Sequence, residues 1–285
     1  MQYIKLNNGI HMPRIMMGTS ICDLRGNQKV LHKKLEDSIV FGESLKTIGF
    51  DTGRDYANEP LLGDIFNKMI KNGVCKREDI FVTTKVGNDQ QRLKNMENEI
   101  DISLKSFRLD YVDLWMLHWP LPDYWLDNWA QVVDIYKKGK VKAIGIANLR
   151  ERHIKQLLDS GLELPHVVQV EYHPFRNVPK FKTMCVDNHI QLEAYSANCL
   201  MLPFVRENQT LKDIALNHNV TITQVIMRWH VQQNVIPIFR SFNPNHIKDN
   251  TDIFNFELSP QEMNAIYALN IDYKFHPESL NCPGY

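Results

Sequence analysis

Asp51-Thr52-Gly53-Arg54-Asp55-Tyr56 sets a carboxylic acid just before a phenol, and two later stretches each end an apolar run in a group that can carry a proton. These are Lys85, closing Phe81-Val82-Thr83-Thr84, and His118, closing Asp113-Leu114-Trp115-Met116-Leu117. The acid-phenol spacing alone says little; its weight comes from the other two groups. A lysine at the end of an apolar strand is buried there and needs a carboxylate partner. Asp51 is the obvious one. Paired with Asp51 and close to Tyr56, Lys85 would favour tyrosinate and draw the phenol pKa down from about 10 toward the range of a general acid. Further polar residues, Asn148, Gln169 and Tyr195, also close strand-like runs. Strand ends meet solvent and are polar for that reason alone, but six such positions in one chain point to a collected site.

The elements that must position these residues alternate. Strand-like runs fall at residues 14–18, 49–51, 80–85, 111–118, 143–147, 167–171, 191–195 and 235–238, and helical patterns at 32–46, 59–72, 91–107, 125–138, 151–159, 178–188, 210–218 and 221–233. Strict alternation implies parallel strands with right-handed crossovers, and eight units favour a closed (β/α)8 TIM barrel over an open sheet. Catalytic residues in that fold come from the ends of several strands. Asn7-Asn8-Gly9 between two short apolar runs predicts an N-terminal β-hairpin that plugs one end. Ser259-Pro260 predicts an extra C-terminal helix to about residue 269. No Gly-x-Gly-x-x-Gly occurs, so a dinucleotide needs another device than the Rossmann turn.

With 285 residues and 44% hydrophobic content, the chain can bury one large core, which predicts a single domain over residues 1–285. Thirty-three basic and 33 acidic residues cancel, leaving no field to recruit nucleic acid or an anionic membrane. The five cysteines lack any Cys-x-x-Cys pair, and neither a signal peptide nor a membrane-length apolar run occurs; a cytoplasmic monomer is expected. No His/Cys spacing suits a metal.

The contexts Asp51-Thr-x-x-x-Tyr56-x-Asn58-Glu59, Thr84-Lys85 and Leu117-His118-Trp119-Pro120 resemble, in order and spacing, the catalytic tetrad of the aldo-keto reductases, (β/α)8 barrels that reduce carbonyls with a nicotinamide cofactor. The resemblance implies Asp51, Tyr56, Lys85 and His118 as catalytic residues and NADPH as cofactor, with NADH possible. It implies that Asn148 and Gln169 hold the carboxamide and that Tyr195 stacks on the ring. Gly18, Thr19, Ser196, Arg240, Ser241, Phe242, Asn243, His246 and Asn250 complete the implied cofactor contacts. Ser20 and Trp119, with Tyr56 and His118, are the implied contacts to a small-molecule carbonyl substrate. An anion at the helix predicted to open at Pro244 is also reasonable physically. The chain departs from the family at Ala147, where a serine is usual, at Ser20, where many members carry tryptophan, and at His246, where a second arginine is frequent. Its eighth-strand loop is longer than usual, and residues 121–128 and 273–285 form short loops. An alternative is a cofactor-sensing or structural protein on the same scaffold.

Overall fold

The computed structural model describes residues 2–22, 24–46, 48–277 and 282. Strands β1 (Tyr3–Lys5) and β2 (His11–Pro13) form the expected antiparallel hairpin. Then β3 (Met16–Gly18), β4 (Gly49–Asp51), β5 (Val82–Val86), β6 (Val112–Leu117), β7 (Val141–Ala147), β8 (Val167–Glu171), β9 (Gln191–Tyr195) and β10 (Ile236–Phe239) run parallel and close into a barrel in chain order, β10 pairing with β3. Around it lie α1 (Gln28–Ser44), α2 (Glu59–Lys71), α3 (Asn88–Arg92), α4 (Met96–Phe107), α5 (Trp125–Lys137), α6 (Glu151–Ser160), α7 (Pro179–Asp187), α8 (Pro203–Arg206), α9 (Gln209–His218), α10 (Ile222–Gln232), α11 (Pro244–Thr251) and α12 (Pro260–Tyr267). The (β/α)8 fold, its hairpin and its extra terminal helix are therefore as the alternation predicts. Among the described residues no helix is long and apolar enough to cross a membrane.

Local signals explain where the elements depart from the expected bounds. The helix expected over 91–107 is two helices, because Lys94 turns left-handed (φ 52°) and Asn95 restarts the chain as an N-cap, accepting from the Asn98 amide. Likewise α1 begins before residue 32, where Asn27 accepts from the Lys29 amide.

Period two along each strand sorts the side chains. Phe50, Val82, Val86, Val168, Val170, Leu192 and Ala194 pack outward in the main core under the helices. Their alternates, Asp51, Lys85, Gln169 and Glu193, consequently point into the barrel. The lower barrel is apolar: Met16, Leu114, Met116, Ala143, Val167, Ile236 and Ile238 cluster with Leu6 and Met12 of the hairpin, which plugs that end. Gly49 makes room for this filling, since a Cβ there would lie 2.5 Å from the Met16 sulfur. The polar residues are left at the opposite, C-terminal end of the strands.

Three buried histidines make the fold sensitive to acid, one of them His230 on α10, which burial pushes down to about 4. His153 on α6 and His166 before β8 are buried, and each uses Nδ1 to accept a backbone N–H, from Arg150 and Ile144 respectively, at 3.0 Å. Burial pushes both down to about 4, with Arg152 and Arg150 adding to the effect at His153. An unfolded histidine titrates near 6.5. Between about 6.5 and 4 the unfolded chain therefore holds protons that the folded histidines lack, and their contribution to stability falls as pH falls through that window, while the buried carboxyls Glu43 and Glu193, pushed up to about 7 and about 8, act in the opposite sense. The difference between variant and parent isolates one histidine: His166→Asn, which keeps an acceptor without a titrating group, is expected to gain in thermal midpoint relative to the parent as pH falls from 7 to 4.5. A midpoint equally pH-dependent in the variant would refute the assignment to His166.

Candidate active site

Lys85 is buried, and its three N–H groups are all committed: Nζ lies 2.8 and 2.7 Å from the two Asp51 oxygens and 2.9 Å from the Thr52 carbonyl. Burial works against the ammonium, but the Asp51 and Tyr56 charges and the hydrogen bonds to Asp51 outweigh it and hold its pKa above the usual lysine value. With every donor engaged, what Lys85 offers Tyr56 is charge, from 5.6 Å above the ring centroid.

Tyr56 ends a tight turn, Arg54–Tyr56, that is closed by Ala57 in the left-handed region (φ 53°). Buried polar residues on either side fix this turn. Thr52 Oγ1 donates to Asn58 Oδ1 at 2.7 Å, and Asn58 Nδ2 donates to the Thr19 carbonyl at 2.9 Å. Glu59 accepts from Thr84 and Ser103 hydroxyls at 2.7 and 2.9 Å and pairs with Arg54. The expected depression of the Tyr56 pKa is not what the structure shows. Tyr56 is half-buried, and burial of its hydroxyl raises the pKa, outweighing the pull of Lys85, while Asp51, Cys22 and Asp55 add to the rise.

His118 follows β6, its ring edge-on to Tyr56 with centroids 5.7 Å apart. Its Nδ1 lies 3.1 Å from Asp55 Oδ2. An ionised carboxylate only accepts, so Nδ1 carries the proton there. A neutral His118 then presents a lone pair at Nε2, and it donates from Nε2 only as imidazolium. Asp55, which sequence reasoning passed over, has its signal in standing directly before Tyr56. Gly87 leaves it space, for a Cβ there would fall 2.0 Å from Asp55 Oδ1.

The remaining expected residues form two groups. Around Asp51, Gln169 Nε2 donates to Asp51 Oδ2 at 3.0 Å and to Glu193 Oε2 at 2.7 Å. The Tyr195 hydroxyl donates to Asn148 Oδ1 at 2.8 Å, and Asn148 Nδ2 reaches the His118 carbonyl at 2.9 Å. Gly18 pairs in register with Asp51, and the Thr19 hydroxyl donates to the Asp51 carbonyl at 3.0 Å. Across the mouth, Arg240 Nη1 donates to the Ser20 carbonyl at 3.0 Å. There Ser241 accepts from the Asn243 amide and Asn243 caps α11, with Phe242 half-buried, His246 exposed and Asn250 buried. Ser196 follows β9 with a left-handed φ of 50°. Trp119, expected to line the mouth, is 7% exposed and packs with Leu121 and Cys282. Trp125 and Trp129 are buried in the main core.

The barrel with its polar strand ends belongs to a known class: the pattern of the Aldo/keto reductase family matches residues 45–198 and 202–271, and the chain is a member of that oxidoreductase family. It is similar to the glyoxal reductase of Bacillus subtilis (strain 168), 35% identical over 280 residues that cover 96% of this chain and 95% of that protein. Methylglyoxal reductase DkgA of Escherichia coli (strain K12) is 29% identical over 280 residues, 96% of each chain. A Bombyx mori aldo-keto reductase in complex with NADP matches with a TM-score of 0.89 and 25% identity, over 99% of this chain and 98% of that one. MGS-M4, an aldo-keto reductase enzyme from a Medee basin deep-sea metagenome library, matches with a TM-score of 0.85 and 33% identity, over 96% and 97%.

The buried Lys85–Asp51 pair makes a stability prediction. Removing one partner leaves a buried charge without its counter-ion, which typically costs about 3–5 kcal/mol, whereas replacing both partners is much milder. Asp51→Asn is therefore expected to lower the denaturation midpoint strongly, and Lys85→Met added to it to restore most of the loss. Additive losses in the double variant would contradict the pairing.

Proposed function

We propose that this chain reduces an aldehyde or ketone to an alcohol with NADPH, Tyr56 giving the proton to the carbonyl oxygen. The observation that carries the reading is the placement of Tyr56: a phenol held by a rigid turn, between a fixed buried ammonium and an imidazole. The donor set also fits the cofactor. Gln169 has both N–H bonds committed inside the barrel, so a ligand can meet only its carbonyl oxygen, which suits an amide N–H. Tyr195 offers an aromatic ring next to it. Arg240, with Ser241 and Asn243 at the N-terminus of α11, suits the phosphate of the adenosine half.

When bound, NADPH supplies the hydride. A general acid must keep its proton until the carbonyl oxygen gains charge, and the raised pKa of Tyr56 does that. As the proton leaves, Lys85 stabilises the tyrosinate through its charge, in a buried place where that charge is weakly screened. Asp51 keeps Lys85 in position. His118, its Nδ1 fixed by Asp55, orients the substrate through Nε2 and adds a donor when protonated. The two relatives named for glyoxal and methylglyoxal make small dicarbonyls the first substrates to try.

Cofactor consumption followed by nicotinamide absorbance, against a panel of carbonyls, tests the reading. Tyr56→Phe is expected to lower turnover by roughly 100-fold or more, the usual scale of a lost general acid. Its Kd for NADPH should stay close to that of the unaltered protein. Turnover within a few-fold of the parent would remove Tyr56 from the mechanism.

Arg240 governs the choice between cofactors. A ribose 2′-phosphate brings nearly two negative charges, and a guanidinium can meet it with paired charge-assisted hydrogen bonds. NADPH should bind more tightly than NADH, with Arg240→Ala removing most of the difference and His246→Ala little of it at neutral pH. Equal Kd values for the two cofactors in the parent protein would show that Arg240 faces elsewhere.

A further inference from the structure

Glu193 stands in the middle of β9, fully buried, in register with Gln169 on the neighbouring strand. Its Oε2 accepts from Gln169 Nε2, the same nitrogen that donates to Asp51. Its Oε1 is buried and has no hydrogen-bond partner among the described residues. A side-chain amide has two N–H bonds and one carbonyl oxygen. Here the two N–H bonds go to two carboxyl groups. The opposite flip would press the Gln169 carbonyl oxygen against the Asp51 carboxylate, so chemistry fixes the orientation.

We propose that Glu193 is a positioning residue: together with Asp51 it takes both N–H bonds of the Gln169 amide, so that Gln169 shows the barrel mouth only an acceptor and thereby selects a cofactor that brings an amide N–H. The proposal rests on the reading that Gln169 meets the nicotinamide carboxamide.

Glu193 does this as a neutral acid. The charged groups facing it are Asp51 of β4 and Lys85 of β5, with Gln169 of β8 as its hydrogen-bond donor. One ammonium already balances Asp51, and a second buried carboxylate would have no counter-ion. Burial first, and then the Asp51 charge, push the Glu193 carboxyl up to about 8, against the opposing effects of Gln169 and Lys85. A protonated carboxyl still accepts the Gln169 N–H through its carbonyl oxygen.

The test measures Kd by fluorescence quenching for NADPH and for its reduced 3-acetylpyridine analogue, in which a methyl replaces the amide NH2. Glu193→Leu is expected to weaken NADPH about five- to tenfold, the scale of one neutral hydrogen bond, and to leave the analogue nearly unaffected. Glu193→Gln, whose carbonyl oxygen can accept the same bond, should restore most of the affinity lost in Glu193→Leu. It should also abolish any change in Kd that the parent shows near pH 8, and this variant serves if Glu193→Leu does not fold. Gln169→Leu should weaken NADPH at least as much, and the double variant no further. A merely packed Glu193 would give equal effects on both cofactors, and that result overturns the proposal. So does parental NADPH affinity in Glu193→Leu when Gln169→Leu binds weakly. Parental affinity in Gln169→Leu would instead sink the underlying assignment of the carboxamide to Gln169.

Discussion

Inside the upper barrel one ammonium faces two carboxyl groups, and the rest of the site follows from how that imbalance is resolved. Lys85 gives all three N–H groups to Asp51 and the Thr52 carbonyl, so it is immobile as well as charged. Asp51 is also held by Gln169. One carboxylate therefore joins the half of the site that holds Lys85 and Tyr56 to the half that holds Gln169 and Glu193. The second carboxyl, Glu193, avoids the imbalance by keeping its proton, since desolvation disfavours a charge that nothing neutralises.

Around this centre, buried polar groups act as structural joints. The turn carrying Tyr56 has few apolar contacts to hold it; Thr52, Asn58 and Glu59 fix it instead through hydrogen bonds to β3, β5 and α4 neighbours. Each bond satisfies a group that would otherwise be costly to bury, so a shifted turn would leave several unpaired groups at once. The same residues therefore explain why Asn58 and Glu59 accompany the phenol in the sequence: they position it. A site built on such supports keeps its geometry without help from a ligand.

Much of the fold and part of the site could be read from the chain because a strand that ends in one polar residue is a local signal. Asp51, Lys85 and Tyr195 announce themselves that way, and the alternation of elements does the rest. Glu193 does not. In Gln191-Leu192-Glu193-Ala194-Tyr195 a glutamate between apolar neighbours reads like the solvent face of a half-exposed strand, and only closure of β9 against β8 and β10 turns that face inward. The Tyr56 pKa runs opposite to the sequence expectation for a related reason: a nearby cation is visible in a sequence, but the depth of a hydroxyl is not. The role of Asp55 depends on His118, a contact across 63 positions that no local pattern encodes.

The mouth is shaped by a second use of β8. Glu171 lies two residues beyond Gln169 and so on the same face, but its carboxylate turns to the end of the chain, accepting the backbone N–H of Phe275 at 2.6 Å and of His276 at 2.9 Å. Burial alone would raise its pKa; hydrogen bonds from His173 and those two amides overcome this and hold it below the usual carboxylate range. His276 is thereby set edge-on to Tyr195, ring centroids 5.7 Å apart, while Arg176 pairs with Asp272 a little upstream. Peeling residues 275 and 276 away would strand a buried carboxylate, a cost of about 1–3 kcal/mol or more for a charged group. The segment against Tyr195 is accordingly a fixed wall of the site, and the same strand that carries Gln169 also anchors that wall.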